Sequence, residues 1–304
     1  MVGAESEFRT LRRADSAALL SMWNASAAFD ALTPELLEEK TWHDAGFEPS
    51  LVRVCEVNGV ISGFGMAVMR DIDNGPRGVI KLLAVAGPQR RKGIGSRMLE
   101  TLEEGLRKRG AGTVRVCESP PNYLVPGVDT RCDAAKGFFE KHGYRPVGVA
   151  QNLTVGLEGR SFRFEKEERA LTARGIECRR ATEADRAAVD CLLESHWPSW
   201  RDEVAVSLEN APPSLHVALR GKTVLGFAAW DANNRGTGWF GPMGTAPETR
   251  GLGIGRALLL RCLADIRAAG HPAAVIPWVE PVAFYEKTVG AVVSRRFNRY
   301  EKVL

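Results

Sequence analysis

The sequence has no C-x-x-C pair. Its six cysteines, at 55, 117, 132, 178, 191 and 262, stand singly, which argues against a zinc ribbon or dithiol redox motif and leaves free thiols of a reducing compartment. No apolar run approaches the ~18 residues that a membrane span needs, and the amino-terminal stretch 1–10 is acidic and polar. A basic stripe and an aromatic-plus-basic platform are also missing, and the net charge is only +4, so nucleic acid is not an expected partner. These absences predict a soluble, cytoplasmic protein with no metal site and no membrane or nucleic-acid partner.

What is present is a doubling. At 304 residues, 44% hydrophobic and 26% charged, the chain suits two ordinary soluble domains of about 150 residues each. Arg90-Arg91-Lys92-Gly93-Ile94-Gly95 and Arg250-Gly251-Leu252-Gly253-Ile254-Gly255 both read R-x-x-G-x-G, 160 residues apart. Each follows a strand-like stretch and opens an amphipathic pattern: Ile94, Met98, Leu102 and Leu106 in one copy, Ile254, Leu258, Cys262 and Ile266 in the other. A glycine turn that opens a helix aims unpaired N–H groups at one point, where the helix dipole favours negative charge. Such a turn holds a phosphate or pyrophosphate.

The flanking segments repeat in the same order. Phe8–Leu20 matches Ile176–Leu193, and the hairpin pattern of Leu51–Met69 around Asn58-Gly59 matches Leu215–Trp230 around Arg220-Gly221-Lys222. Strands are expected at Val79–Ala86 and Gly238–Ala246 before the turns, and at Thr113–Cys117 and Ala273–Trp278 after the helices, which end at Gly110 and Gly270. Short helices at Cys132–His142 and Val282–Val289 follow, and a final strand pair closes each copy. A mixed, mostly antiparallel sheet flanked by helices, an α/β (α+β) layer fold, is implied twice. The expected partition is 1–157, a charged linker at 158–175 with little periodicity, and 176–304. The halves can pack as an internal pseudo-dimer within a monomer, or the chain can form a homodimer.

Two better-known phosphate loops do not fit. A dinucleotide fingerprint needs a third glycine or alanine, where this chain has Met98 and Leu258; a Walker A loop needs a closing Gly-Lys-Ser/Thr, which neither copy has. The runs LLAVAGPQRRKGIGSRML (82–99) and GPMGTAPETRGLGIGRALLL (241–260) instead resemble motif A of the GNAT acetyltransferases, once per half. The resemblance implies two tandem GNAT-like domains and acetyl-CoA as donor. Its pyrophosphate contacts fall on Arg90, Arg91, Lys92, Gly93, Ile94, Gly95 and Ser96, and on Arg250, Gly251, Leu252, Gly253, Ile254, Gly255 and Arg256. Its pantetheine contacts fall on the strand before each loop, at Leu83, Ala84 and Val85 and at Met243, Gly244 and Thr245.

Acetyl transfer to an amine needs a base for the amine and a donor for the departing thiolate. In the family the donor is often a tyrosine in a pattern resembling A-x-x-F-Y-E-K-x-G. The second half offers Val282-Ala283-Phe284-Tyr285-Glu286-Lys287-Thr288-Val289-Gly290, so Tyr285 takes that role; the first half has Phe139 at the same place. The chemistry is therefore expected in the C-terminal domain, with the N-terminal one a degenerate copy. Glu280, at the end of the strand 273–279, is the candidate base, or else a solvated turn residue. His196 in Ser195-His196-Trp197 is either a base or packed beside the tryptophan. Trp23, Trp42, His43 and Asp44 either shape a ligand pocket or belong to the core. The expected activity is N-acetylation of a small primary amine. The alternative is a non-catalytic acyl-CoA-binding sensor.

Overall fold

The computed structural model describes residues 6–72 and 75–304, so the first five residues of the polar amino-terminal stretch lie outside it. The chain forms two compact units: residues up to Ala150 together with Arg296–Leu304, and Gln151–Arg295.

The first unit runs β1 (Ser6–Thr10), α1 (Ser16–Ser26), α2 (Pro34–Lys40), β2 (Val52–Val57), β3 (Val60–Ile72), β4 (Gly75–Val85), α3 (Ile94–Arg107), β5 (Thr113–Val116), the short β6 (Val128–Asp129), α4 (Asp133–Lys141) and β7 (Arg145–Gly156). β1 to β4 form an antiparallel meander, and β5 joins β4 in parallel. Asn58 and Gly59, both at positive φ (52° and 77°), make the tight turn that the sequence pattern announces. One face of the sheet buries Ile80, Met98, Leu102 and Val114 under α3; the other buries Leu19, Trp23, Phe64 and Val79 under α1 and α2. Gly65 lets α3 come close, since a Cβ there would lie 2.7 Å from Met98 and 2.8 Å from Leu102.

The second unit runs α5 (Glu165–Thr172), β8 (Glu177–Arg180), α6 (Arg186–His196), α7 (Arg201–Glu209), β9 (Leu215–Arg220), β10 (Thr223–Trp230), β11 (Phe240–Thr245), α8 (Ile254–Ala268), β12 (Ala273–Ile276), α9 (Val282–Val289) and β13 (Val292–Val303). The sheet β8-β9-β10-β11 is antiparallel throughout. It buries Ala228, Leu258 and Cys262 beneath α8, and Val189, Leu193, Val217 and Phe227 beneath α6 and α7. Both units are thus a sheet between two helical layers, as the repeated pattern implies.

Two details differ from the sequence reading. Each copy ends in one long strand instead of a strand pair, and both strands cross the unit boundary: Gln151–Gly156 of β7 pairs with β12 in the second unit, and the end of β13 pairs with β5 and β6 in the first. Segment 158–175 contains α5, buries Phe162 and Leu171, and ties Glu167 and Glu168 to Arg256 and Arg261 on α8. Its apolar anchors are too sparse for a helical period to be legible.

Candidate active site

The two glycine loops share one backbone. Arg90 and Arg250 are both extended (φ −64°, ψ 155° and φ −62°, ψ 151°), and Gly93 and Gly253 are left-handed at φ 87° and 93°. Neither α3 nor α8 has a side-chain cap, and neither has an acidic residue in its first turn. The amides of Ile94, Gly95 and Ser96, and of Ile254, Gly255 and Arg256, are therefore the unpaired donors of helix starts, turned outward by the glycine kink. Between the arginine and that kink the loops differ. Arg91 stands at φ 63° where the second loop has Gly251 at φ 81°. A side chain in the left-handed region costs about 1–2 kcal/mol. Arg91→Gly is expected to raise the stability of the first unit by about 0.5–1 kcal/mol in urea unfolding, after allowance for the extra entropy of glycine in the unfolded chain.

Each loop follows a strand with one unpaired edge. β4 is laddered to β5 only at Gly78–Ile80, so Leu83, Ala84 and Val85 pair with β3 on one side alone. Among the described residues β11 has no ladder with β12, the nearest pairing being an isolated bridge between Trp239, just before β11, and Val275, so Met243, Gly244 and Thr245 pair with β10 alone. These are the positions that the sequence assigned to pantetheine. Backbone N–H and C=O groups along such an edge can pair with an extended, amide-bearing chain. A later helix packs beside the first turn of each loop helix: a Cβ on Gly95 would lie 3.3 Å from Phe138 of α4, and one on Gly255 would lie 3.7 Å from Phe284 of α9.

Tyr285 lies next to Phe284 on α9. It is only 9% exposed, and its ring meets Phe284 edge-on at 5.0 Å and Phe240, the first residue of β11, at 6.3 Å. Burial pushes its phenol up to about 12, so it stays protonated at neutral pH. Its hydroxyl has no hydrogen-bond partner among the described residues, so the tyrosine is a held ring with an uncommitted donor. Phe139 fills the corresponding place in the first unit, buried edge-on against Phe138 and Tyr144. The Tyr144 hydroxyl is engaged with Glu103 at 2.8 Å and does not replace the missing donor. Glu280 is exposed in the turn before α9. His196 is exposed at the end of α6, its ring 5.3 Å from Trp197.

Side chains around the loops are committed differently. In the first unit Arg90 donates to the Val85 and Ser26 carbonyls, both at 3.0 Å, and Ser96 Oγ lies 2.9 Å from His142 Nε2. In the second, the Arg250 guanidinium has no partner among the described residues, whereas Arg256 is bound to Glu167 at 2.8 Å. Of the two second-loop arginines, Arg250 is the uncommitted cation.

The sequence reading did not find the ionic cluster where β4 leaves β5. Lys81 is the first residue past the last β4–β5 pair and is fully buried against Asp44, whose two carboxylate oxygens also accept from the single Nη2 of Arg70 at 2.6 and 2.7 Å. Asp44 is therefore a core ion-pair residue, and Trp23, buried with its indole N–H on the Asp30 carbonyl, is core as well. His43 is exposed, and Trp42 packs against Phe47 with ring centroids 4.9 Å apart and the planes tilted by 51°. A lone lysine inside a strand of apolar residues is the one sequence signal that could have marked the cluster. Among the described residues there is no group of three or more potential metal ligands, and no helix is long and apolar enough to cross a membrane.

The acetyltransferase (GNAT) family model matches residues 17–144 and again 181–291. A curated acetyltransferase from Pectobacterium atrosepticum is 32% identical over 161 residues, which cover 51% of this chain and 99% of that protein. Among solved structures, a GCN5-related glucosamine N-acetyltransferase region in a fungal multi-domain GH3 beta-N-acetylglucosaminidase superposes over 99% of this chain with a TM-score of 0.83 at 20% identity. The present chain spans 38% of that fungal protein. A tandem GNAT protein from the clavulanic acid biosynthesis pathway superposes with a TM-score of 0.68 at 14% identity, covering 98% of both chains.

Proposed function

The chain belongs to the acetyltransferase (GNAT) family, and from that premise we propose that its second unit transfers the acetyl group of acetyl-CoA to the primary amine of a small molecule. The observation that carries this reading is the uncommitted Tyr285 hydroxyl at the root of β11, against a phenylalanine in the other copy. In the reaction the amine nitrogen attacks the thioester carbonyl, the C–S bond breaks, and CoA leaves as a thiol once its sulfur has gained a proton. The amides of Ile254, Gly255 and Arg256, with the Arg250 guanidinium, hold the diphosphate. The free edge at Met243–Thr245 receives the amides of the pantetheine arm. Glu280, in water, takes the proton of the incoming ammonium through solvent.

Magnitudes refine the role of Tyr285. A phenol at about 12 faces a thiolate whose ordinary value is about 8.5, so full proton transfer is uphill by roughly 4–5 kcal/mol unless the sulfur is itself desolvated. Tyr285 therefore acts first as a hydrogen-bond donor to charge developing on sulfur, and the proton follows as the thiolate becomes more basic in the closed site.

The first unit is the weaker donor site. Arg90 already occupies the Val85 carbonyl on the edge where the pantetheine arm would pair, and no hydroxyl replaces Tyr285. The test is thiol release from acetyl-CoA with a panel of polyamines, amino sugars, amino acids and aminoglycosides. At least one amine is expected to drive release above background hydrolysis. Gly253→Val is expected to abolish that release and Gly93→Val to spare most of it. Release that never exceeds background would favour a non-catalytic acyl-CoA sensor.

A further inference from the structure

Gly244 is the middle residue of the free-edged stretch of β11, and its missing side chain has a definite cause. A Cβ there would lie 2.7 and 2.8 Å from two atoms of the Trp197 ring and 3.0 Å from Phe227, so the indole rests directly on the strand backbone. Trp200 continues the surface, nearly parallel to Trp197, with centroids 5.5 Å apart and an interplanar angle of 15°. Both stand edge-on to Phe227, at 5.9 and 6.3 Å, which fixes them from below. They are only half-buried, and neither indole N–H has an acceptor among the described residues. Among the described residues the first unit has no stacked pair of indoles: Trp23 is buried with its N–H bonded, Trp42 is tilted by 51° on Phe47, and Ala84 stands where the second unit has Gly244.

Fixed, half-exposed indoles beside a strand with a free edge form a recognition surface rather than a core. At 5.5 Å the two rings are too close to admit a third between them. A ligand must lie along their outer faces and edges, with hydrogen bonds to the two N–H groups. Flexible aliphatic chains gain little from such a surface, because they lose rotamer freedom on ordering, whereas a rigid ring stacks at small entropic cost.

We propose that Trp197 and Trp200 form the acceptor platform of the second unit, and that the acceptor is a primary amine carried on a ring with a flat apolar face, saccharide or aromatic. The proposal rests on the reading of that unit as the transferase, and its test separates the two. Initial rates are measured at saturating acetyl-CoA with glucosamine and tyramine as ring-bearing amines and putrescine as the flexible one. Quenching of tryptophan emission by glucosamine and tyramine is titrated in parallel without acetyl-CoA.

The wild type is expected to favour at least one ring amine over putrescine. Trp200→Leu, which leaves Trp197 on Gly244, is expected to raise the KM for that amine about fivefold to tenfold, with kcat and the KM for acetyl-CoA nearly unchanged. The same variant is expected to lose the quench, and Trp200→Phe to restore most of both. Which ring amine responds tells a saccharide from an aromatic acceptor. A preference for putrescine, or a ring preference that survives Trp200→Leu, would overturn the platform. Quenching that depends on Trp200 in a chain that never turns over would support the platform and refute the transferase reading. Turnover of ring amines with no quench and no Trp200 effect would do the reverse.

Discussion

Tyr285→Phe is expected to lower kcat by about 100-fold or more, the lower end of the range for a positioned acid or base, while leaving the affinity for acetyl-CoA within about twofold. The substitution removes one oxygen and keeps the ring, so the edge-on contacts with Phe240 and Phe284 remain. The hydroxyl is not used by any neighbour among the described residues, so its loss breaks no internal hydrogen bond. The variant should therefore unfold at nearly the wild-type urea concentration. A structural tyrosine would show the opposite pattern, with stability lost and turnover kept. With its phenol near 12, Tyr285 should stay protonated across the working range, so a high-pH limb below about pH 10 belongs to another group. The rate ratio between wild type and Tyr285→Phe should be flat from pH 7 to 9. An unchanged kcat would remove Tyr285 from the mechanism.

Asp44→Ala is expected to destabilise the first unit by about 3–5 kcal/mol, the range for breaking a buried ion pair from one side. Asp44 is the carboxylate between Lys81 and Arg70, and its removal leaves the buried Lys81 without its acceptor and the Arg70 guanidinium without its counter-charge. The cluster also sets a pH dependence. Burial, with Lys40 and Arg70 nearby, pulls Lys81 down to about 7 against the opposing pull of Asp44, well below the value of about 10.4 expected in the unfolded chain. Between these values the unfolded state binds more protons than the folded one, so stability rises with pH from 7 toward 10. Asp44 acts at the other end: its carboxyl is held low by Lys81 and Arg70 against its burial, so its contribution is present above about pH 4 and is lost on acidification. Urea transitions at a series of pH values should show both limbs. Lys81→Met should flatten the rise above pH 7 and keep the acid loss, and a rise that persists in Lys81→Met would assign it to another group.

What could be read from the chain alone follows from the range of the interactions. The glycine turns, the helices they open and the Asn58-Gly59 hairpin are local, fixed by backbone conformations that glycine and asparagine favour, and they appear where the pattern places them. The repeat added a second measurement of each element, and the Tyr285/Phe139 contrast came from aligning the copies. Three features escaped because they are set across long stretches of chain. The Lys81–Asp44 pair joins residues 37 apart, and the contact of Trp197 with Gly244 depends on how α6, which Trp197 ends, packs on the sheet. The crossing of β7 and β13 between units depends on pairings of residues 153–156 with 273–276 and of residues 301–303 with 113–115, far apart in the chain. Nor did the pattern distinguish Arg250 from Arg256, since only the fold brings Glu167 to the latter.

The account rests on the second loop grasping the diphosphate of a CoA thioester. Calorimetric titration of the intact chain with acetyl-CoA at low salt, repeated on Gly253→Val, tests this directly. The wild type should give saturable heat, and the variant, with a branched side chain forced on a residue at φ 93°, should lose at least about tenfold in affinity. Absence of any saturable heat from the wild type, or identical binding by the two proteins, would contradict the account.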